Sequence, residues 1–560
     1  MKLVRRIFLV SLLAVLLSSV SLVALAYERA ETLVYGGGLW AAPSNWNPLT
    51  PWAEVTGTGG LVYETLFHYY PLTAEYQPWL AKSGKWVSDT VYEIELRKGI
   101  KWTDGQDFTA DDVKFTFEIA KTNQLHYSNV WEWIKEIKVL NPYQLQFVFS
   151  KPHYQEWKLL LYDLRIIPKH IWSKVPADNL LTTANKEPIG TGPYMVDSVA
   201  QDRMVWVRNE KWWGNEVFGK PKPKYLVNLV VYENNVALGM LMKRELDLSN
   251  YFIPGVPKIK DTFGLTTWFK KRPYMLSENV ALLFLNTKKE GLNDPKFRRA
   301  LAFAINPASI VERVFENQVK VADPTGLFGK GWMEYHSKEA VKQYGFSYDP
   351  KKAKALLDAA GYVDVNKDGW RELPNKKPMK FEIIVPNGWT DWMESIKIIA
   401  ENLRAVGINV VPSFPDFSIY FDRLQRCTFD MAINNFGSSW SATPFTYWNW
   451  VANDEIDGEI ATDGNWGRYK DAELFKLIDD FNLLKSEDPE AKRVADAIQK
   501  KLLKEMPSIP LWYNGLWAQS TSKYWTNWPT EDNPVGYPCT WGGKWSFGSI
   551  EMLINLRPAS

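Results

Sequence analysis

Cysteine and histidine are scarce in this sequence of 560 residues, which contains 2 Cys and 5 His. Cys427 and Cys539 are too few to build a cysteine-ligated metal site. The sequence leaves open whether they form a disulfide or stay free and buried. None of the five His lies in a recognised nucleophile motif, which disfavours a serine or cysteine hydrolase.

A strong excess of either charge is also missing, because 66 Lys and Arg face 64 Asp and Glu. Removal of residues 1–26 would take away Lys2, Arg5 and Arg6 and leave 63 basic against 64 acidic side chains. Nucleic-acid binding depends on clustered basic residues, and the sequence contains no basic stripe. We therefore expect no nucleic-acid partner.

Long apolar runs are absent after residue 26, so the mature chain is not expected to be integral to a membrane. The one such run, from Ile7 to Ala26, follows basic residues and ends in small ones. This pattern predicts a cleavable secretory signal peptide over residues 1–26. The alternative is an uncleaved anchor, since ~20 residues can span a bilayer. Without a cysteine after this run to carry a lipid, we expect a soluble periplasmic protein.

Tryptophan, in contrast, is abundant, with 28 Trp beside 26 Tyr and 27 Phe. Most of these rings are expected to fill hydrophobic cores, which a chain that is 46% hydrophobic can build. Trp residues in polar loop segments are expected to face a ligand or solvent instead. The length predicts several domains rather than one.

Strand-like and helix-like segments alternate along the second half of the chain. Strands are predicted at 281–286, 380–385, 408–412 and 429–433, and helices at 294–305, 349–360, 391–406 and 471–485. Thr109 and Asp112 begin an earlier helix with a pattern like a capping box. Alternation of this kind is typical of an α/β protein with crossover connections.

Four ordered strings in the sequence carry a family resemblance. They are KWTDGQDFTADDVKFTFE at 101–118, GTGPY at 190–194, LNTKKEGLNDPKFRRALAFAINPASI at 285–310, and the segment 348–361, which ends in LLDAAG. The chain resembles the extracellular solute-binding proteins of the oligopeptide-binding family, which serve ABC importers. The resemblance covers nearly the whole mature chain.

The resemblance implies an α/β, two-lobed periplasmic-binding-protein (Venus-flytrap) fold with an additional small domain. By that template, lobe I comprises 27–70, 187–275 and 515–560, the small domain 71–186, and lobe II 276–514. It also implies a monomer without catalytic residues or cofactors, which closes on its ligand and delivers it to the permease subunits of an ABC transporter.

Several residues within these strings have simpler structural interpretations. Gly190 and Gly192 are expected to supply backbone torsions that other residues cannot adopt. Arg298 and Arg299 are expected to form a pair on a helix surface. Asp364, Asn366 and Asp368 imitate the start of a calcium loop, but Asn375 occupies the twelfth position, where a bidentate Glu is expected. The metal prediction is therefore none, with these three residues as a weak calcium candidate.

The segment that follows the strand at 429–433 indicates the ligand class. In peptide-binding members of the family, a carboxylate in this segment captures the amino terminus of the peptide. Residues 434–444 read NNFGSSWSATP and contain no Asp or Glu. Because a buried ammonium without a carboxylate partner is costly, this departure favours a neutral, polyhydroxylated ligand.

Amides and hydroxyls beside Trp suit a pyranose ring, whose apolar face stacks on an indole while its hydroxyls find polar partners. The Trp content and the segment 38–52 resemble the family's members that bind β-linked cello- or manno-oligosaccharides. The predicted ligand-binding residues come from both lobes. They are Trp40, Asn45, Trp46, Asn234, Asn235, Tyr251, Trp389, Trp392, Asn434, Asn435, Ser439, Trp440 and Trp512.

Two other functions remain open from the sequence. The first is an oligopeptide-binding protein of the same family. The second is a secreted glycoside hydrolase, which would need two carboxylates flanking the scissile bond, with Asp391 or Glu394 as candidates. The family strings disfavour the hydrolase, and we predict a protein that is not an enzyme.

Overall fold

The computed structural model describes residues 27–39, 41–50, 55–436, 441–453, 460–461, 464–541 and 544–559. The predicted signal peptide lies outside these residues. The strands are β1 (Thr32–Gly36), β2 (Phe67–Tyr70), β3 (Glu75–Pro78), β4 (Ala81–Ser88), β5 (Val91–Leu96), β6 (Ile134–Asn141), β7 (Gln144–Phe149), β8 (Tyr194–Ala200), β9 (Arg203–Arg208), β10 (Tyr225–Leu229), β11 (Leu248–Ser249), β12 (Leu276–Leu285), β13 (Lys320–Val321), β14 (Lys380–Ile384), β15 (Asn409–Ser413), β16 (Met431–Phe436), β17 (Ser508–Leu516), β18 (Gln519–Ser520), β19 (Trp525–Thr526) and β20 (Arg557–Pro558).

The helices alternate with these strands, most densely between β12 and β17. They are α1 (Ala110–Thr122), α2 (Tyr154–Asp163), α3 (Lys169–Trp172), α4 (Asn234–Met242), α5 (Val256–Phe263), α6 (Pro295–Ala304), α7 (Pro307–Arg313), α8 (Gly329–Met333), α9 (Lys338–Tyr344), α10 (Pro350–Ala359), α11 (Thr390–Arg404), α12 (Phe417–Gln425), α13 (Phe445–Val451), α14 (Ala472–Asn482), α15 (Pro489–Glu505) and α16 (Ser549–Asn555).

Three sheets of four or more strands organise the chain. The first-lobe sheet has the order β18-β11-β1-β10-β9-β8, the second-lobe sheet β13-β17-β12-β16-β14-β15, and the small-domain sheet β4-β5-β7-β6. The fold is the predicted α/β class with two lobes and an additional small domain. Strand β12 leads the chain into the second lobe and β17 leads it out. The exact residue bounds of the domains stay a prediction.

Local capping explains where the predicted helices begin. The side chains of Asp294, Asp349 and Asp471 accept hydrogen bonds from backbone N–H groups in the first turns of α6, α10 and α14. Thr109 and Asp112 form the complete capping box at the start of α1. These caps satisfy amide groups that the helices themselves leave unpaired.

Arg298 differs from its predicted place on a helix surface. Only 2% of this residue is exposed, and its guanidinium donates hydrogen bonds to the carbonyls of Leu292, Glu505 and Met506. Arg299 is half-buried and donates to the carbonyl of Leu503 at 2.8 Å. The surface-pair prediction is therefore wrong, because both cations bind the carboxyl end of α15.

Gly190 and Gly192 are needed for space rather than for torsion. Neither has a positive φ. A Cβ at Gly190 would lie 2.0 Å from the carbonyl oxygen of Val62, and one at Gly192 would lie 2.2 Å from that of Leu61. The prediction of unusual torsions was wrong, and close backbone packing requires these glycines.

Cys427 and Cys539 are buried thiols that form no disulfide with each other, which resolves the alternative that the sequence left open. Among the described residues, no helix combines the length and the apolar character required to cross a bilayer.

The small domain contacts the second lobe through helix α2. Gln155 Nε2 donates to the carbonyl of Leu484 at 2.5 Å, and Lys158 Nζ to Ser486 Oγ at 2.6 Å. The backbone N–H of Glu156 donates to Asn482 Oδ1 at 3.0 Å. We call this set of hydrogen bonds the α2 contact.

Candidate ligand-binding site

The carboxyl ends of several strands meet at one edge of the second-lobe sheet. Strand β14 pairs in parallel with β15 and β16, so all three end at this edge, and antiparallel β12 begins there. In open α/β sheets, ligands bind outside the carboxyl ends of the strands. Trp389 follows β14 and is 37% exposed, and its ring lies 5.8 Å from that of Phe417, which follows β15.

The first-lobe sheet presents a corresponding edge. Strand β1 pairs in parallel with β10 and β11, so the segments after these three strands leave the sheet on the same side. Asn234 and Asn235 begin helix α4 after β10, and Asn235 is exposed. Phe252 follows β11 and is largely buried.

Phe252 brings the two edges together. Its ring packs against those of Phe315 and Trp517, with centroids 5.6 and 5.0 Å away. It also lines a cavity of about 290 Å³ together with Thr390, Asp391 and other residues of the second lobe. One lining residue of the cavity, Phe252, follows a strand of the first-lobe sheet, and the other lining residues belong to the second lobe, as expected of a site that closes around its ligand.

Charged side chains of helix α11 supply most of the polar lining of this cavity. Glu394 pairs with Lys397 at 2.6 Å, and Glu401 lies 3.8 Å from Arg313. Burial raises the pKa of the Asp391 carboxyl to about 6. Asp391 and Glu394 lie one turn apart on the same helix face, rather than on opposite sides of the cavity.

Five of the predicted ligand-binding residues keep partial exposure or lie at these edges. Asn234, Asn235 and Trp389 follow strand ends, whereas Asn434 and Asn435 lie near the end of β16. Successive residues of a strand point to opposite faces, so Asn434 and Asn435 cannot share one face of the sheet. Ligand contact by any of the five remains a prediction.

Five other predicted residues are buried or bonded within the protein itself, and three of them lie in the first lobe. Asn45 folds its own loop, because its Oδ1 accepts from the N–H of Asn47 and its Nδ2 donates to Thr50 Oγ1. Trp46 is 2% exposed within the core of the first lobe. The hydroxyl of Tyr251 donates to the carbonyl of Leu39 at 3.2 Å.

The burial of Trp392 and Trp512 contradicts most clearly the prediction that they face the ligand. They are 3% and 0% exposed and lie in one hydrophobic core, where Trp512 packs 5.2 Å from Phe315. A polar sequence neighbourhood was a poor guide here, because helix α11 and strand β17 turn these indoles inward. Trp40, Ser439 and Trp440 lie outside the described residues.

Asp430, just before β16, is the carboxylate nearest in sequence to residues 434–444, whose lack of Asp and Glu predicted a neutral ligand. It pairs with Lys289, and its Oδ2 accepts from the N–H of Glu382 at 2.8 Å. It therefore lies at the opposite end of β16 from the edge and has a structural partner.

The calcium-like loop contains three carboxylates whose oxygens lie within 4.8 Å of one another, from Asp364, Asp368 and Glu372. Asn366 Oδ1 accepts instead from the N–H of Asp368. Glu372 is buried and accepts from the N–H of Val365 at 2.7 Å.

Asn279 and Asn514 are residues that the sequence analysis missed. They lie directly opposite each other where β12 enters and β17 leaves the second lobe. They are 3% and 6% exposed, and neither amide oxygen has a hydrogen-bond partner among the described residues. No sequence signal marks them, because asparagine in a strand has no distinctive pattern.

Comparisons with known proteins agree with the two-lobed fold. A family model described as "Bacterial extracellular solute-binding proteins, family 5 Middle" matches residues 75–458. The crystal structure of a periplasmic oligopeptide-binding protein of an ABC transporter from Thermotoga maritima is 50% identical, covers 95% of this chain and 100% of its own, and has a TM-score of 0.93.

A second structure of that Thermotoga maritima protein contains mannohexaose. It is likewise 50% identical, with a TM-score of 0.91, and the match covers 95% of this chain and 99% of the other. Among curated relatives, an oligopeptide-binding protein of Bacillus subtilis (strain 168) is 25% identical over 431 residues, or 75% of each chain. These relatives are binding proteins rather than enzymes.

Proposed function

Because the chain belongs to the bacterial extracellular solute-binding proteins of family 5, we propose that it captures β-linked oligosaccharides, such as manno- or cello-oligosaccharides, for an ABC importer. In this proposal it is a periplasmic binding protein without catalytic activity, whose lobes close on the sugar before it meets the permease. The observation that carries the proposal is the 50% identity, over 95% of this chain, to a protein crystallised with mannohexaose.

The segment after β16 and the two sheet edges support a neutral ligand, whereas charged side chains line the cavity beside Phe252. Residues 434–444 contain no carboxylate, and Asp430 is already paired with Lys289. The edges instead offer amides and the exposed indole of Trp389. An indole plate that removes about 100 Å² of apolar sugar surface from water contributes about 2.5 kcal/mol.

An oligopeptide is the second candidate, and Asp391 is the observation that favours it. Its carboxylate lines the cavity shared by the lobes, where a peptide ammonium would find a partner. Two of the similar proteins have names that describe them as oligopeptide-binding, which supports this second candidate.

Isothermal titration calorimetry separates the two candidates. We expect heat and saturation with mannohexaose, mannobiose or cellobiose, and none with di- to pentapeptides. At a hundredfold excess over Kd, the sugar should add about 2.7 kcal/mol to the free energy of unfolding. Binding of peptides alone would overturn the proposal. Release of labelled fragments from cello-oligosaccharide would contradict the absence of catalysis.

A further inference from the structure

The facing residues Asn279 and Asn514 need a physical explanation. Each side chain is more than nine-tenths buried, and each Oδ1 has no hydrogen-bond partner among the residues that the structure describes. Buried amide oxygens are nearly always hydrogen-bonded in native proteins, because an unpaired one costs about 1–3 kcal/mol. Two such oxygens on directly opposed residues indicate a site for hydrogen-bond donors from outside the described chain.

The position of the pair connects it with the ligand cleft. Asn279 is the fourth residue of β12 and Asn514 the third from the end of β17, so both lie where the chain crosses between the lobes. Side chains two residues apart in a strand share a face. Asn514 therefore lies on the same face as Trp512, which packs against Phe315, and Phe315 in turn packs against Phe252 of the cavity wall.

The chemistry of the pair favours hydroxyl donors over a cation. An amide oxygen is a neutral acceptor, and it cannot compensate the charge of a desolvated ammonium as a carboxylate does. Opposed residues of an antiparallel ladder have Cβ atoms about 5 Å apart. This spacing suits two hydroxyl groups of one sugar ring.

We propose that Asn279 and Asn514 bind hydroxyl groups of the oligosaccharide at the hinge end of the cleft, each through its Oδ1. This assignment rests on the proposed function and names two specificity-determining residues for it. A sugar ring offers several hydroxyl donors close together, whereas a peptide offers one backbone N–H per residue, so the pair favours a polyhydroxylated ligand.

The test compares Asn279→Leu and Asn514→Leu with the wild type by calorimetry with mannohexaose. Each variant should bind at least tenfold more weakly. The melting temperature without ligand should not fall, because leucine removes an unpaired buried acceptor rather than a hydrogen bond. Asn279→Ala and Asn514→Ala are measured in parallel, since they add no bulk to a packed strand.

Asn286 provides a matched control just past the other end of β12. Its Nδ2 donates to the carbonyls of Cys427 and Phe429, at 3.1 and 2.7 Å, and its Oδ1 accepts from the N–H of Lys288. Asn286→Leu should therefore lower the melting temperature and leave the affinity within twofold of the wild type.

The other outcomes overturn the assignment. Unchanged affinity with a lower melting temperature would give the amides a purely structural role. Unchanged affinity and melting temperature would mean that bound water alone satisfies them. Failure of the wild type to bind any oligosaccharide would overturn the proposed function as well, whereas normal wild-type binding with unaffected variants would overturn only this inference.

Discussion

Glu64 shows at the scale of a single residue how part of the tryptophan content is used. This fully buried carboxylate accepts hydrogen bonds from the indole N–H groups of Trp79, Trp212 and Trp213, at 2.8, 3.0 and 2.8 Å. Three indoles around one acid form a structural cluster rather than a ligand platform. Burial nevertheless raises the pKa of Glu64 to about 7.

This raised pKa predicts a pH dependence of stability. A carboxyl whose pKa is about 7 when folded and about 4.5 when unfolded binds its proton more tightly in the folded state. Its contribution to the free energy of unfolding is then largest below pH 4.5 and falls by about 3 kcal/mol as the pH rises to 7. Urea unfolding of wild type and Glu64→Gln at pH 5, 6 and 7 measures this difference.

Glu64→Gln should lack this part of the pH slope. It should also be about 1–3 kcal/mol less stable at pH 5, because its amide nitrogen cannot accept from an indole. Equal slopes in the two proteins would show that Glu64 does not titrate in this range.

Trp389 is the tryptophan whose exposure best fits sugar contact among the described candidates. Trp389→Ala should weaken mannohexaose binding by roughly 10- to 70-fold, through loss of an apolar plate worth about 1.4–2.5 kcal/mol. Because 37% of the residue is exposed, the melting temperature should change little. Calorimetry and thermal unfolding together measure both effects.

The buried neighbour Trp392 is the control for that prediction, since its ring lies 5.0 Å from that of Trp389. Trp392→Phe should lower the melting temperature and leave the affinity unchanged. The reverse pattern, with affinity lost only in the Trp392 variant, would contradict the assignment of Trp389 as the exposed plate.

At the scale of elements, helices and strands were predicted well because their signals are local. Asp294 and Asp349 before proline, and the capping box at Thr109, determine helix starts without help from the rest of the fold. The site was predicted less well. Whether Trp512 faces ligand or core depends on which face of β17 is covered, and this is decided by helices distant in sequence.

The α2 contact between the small domain and the second lobe was not predicted by any sequence pattern. It joins the small domain to the segment after α14 by hydrogen bonds across more than 300 positions of the chain. If the lobes open to admit ligand and opening separates α2 from the second lobe, these bonds form only on closure. They would then slow ligand release.

Asn482→Ala tests this interpretation. It removes the acceptor for the N–H of Glu156, and it also removes the Nδ2 group that lies 3.2 Å from His153 Nδ1 and 3.3 Å from Glu156 Oε2. We expect mannohexaose to dissociate at least about three- to tenfold faster, because a net loss of about 1 kcal/mol is typical for even one of these hydrogen bonds. Stopped-flow tryptophan fluorescence measures this rate. The control is Lys82→Ala, which removes the exposed ion pair with Glu95 inside the small domain and should leave the rate unchanged. Equal rates in the wild type and Asn482→Ala would assign the α2 contact no role in retention.

At the scale of the whole molecule, β12 and β17 connect the proposed ligand site with the opening and closing of the lobes. They carry the chain between the lobes, and Asn279 and Asn514 lie side by side in them. A ligand shifts the equilibrium between open and closed forms only by its difference in affinity for the two. Contacts with both lobes, such as those available around Phe252, supply that difference.

Small-angle X-ray scattering can test closure and the α2 contact together. Saturating mannohexaose should reduce the radius of gyration of the wild type, because only the closed form brings both edges onto the sugar. Asn482→Ala should reach the same radius when saturated, since it loses only the contacts of one side chain and keeps the hinge and both edges. It should require more sugar to do so, because a smaller closed fraction raises the apparent Kd in proportion. A radius that does not change with ligand in either protein would mean that the sugar enters a cleft of fixed shape, and faster release from Asn482→Ala would then need a cause other than opening.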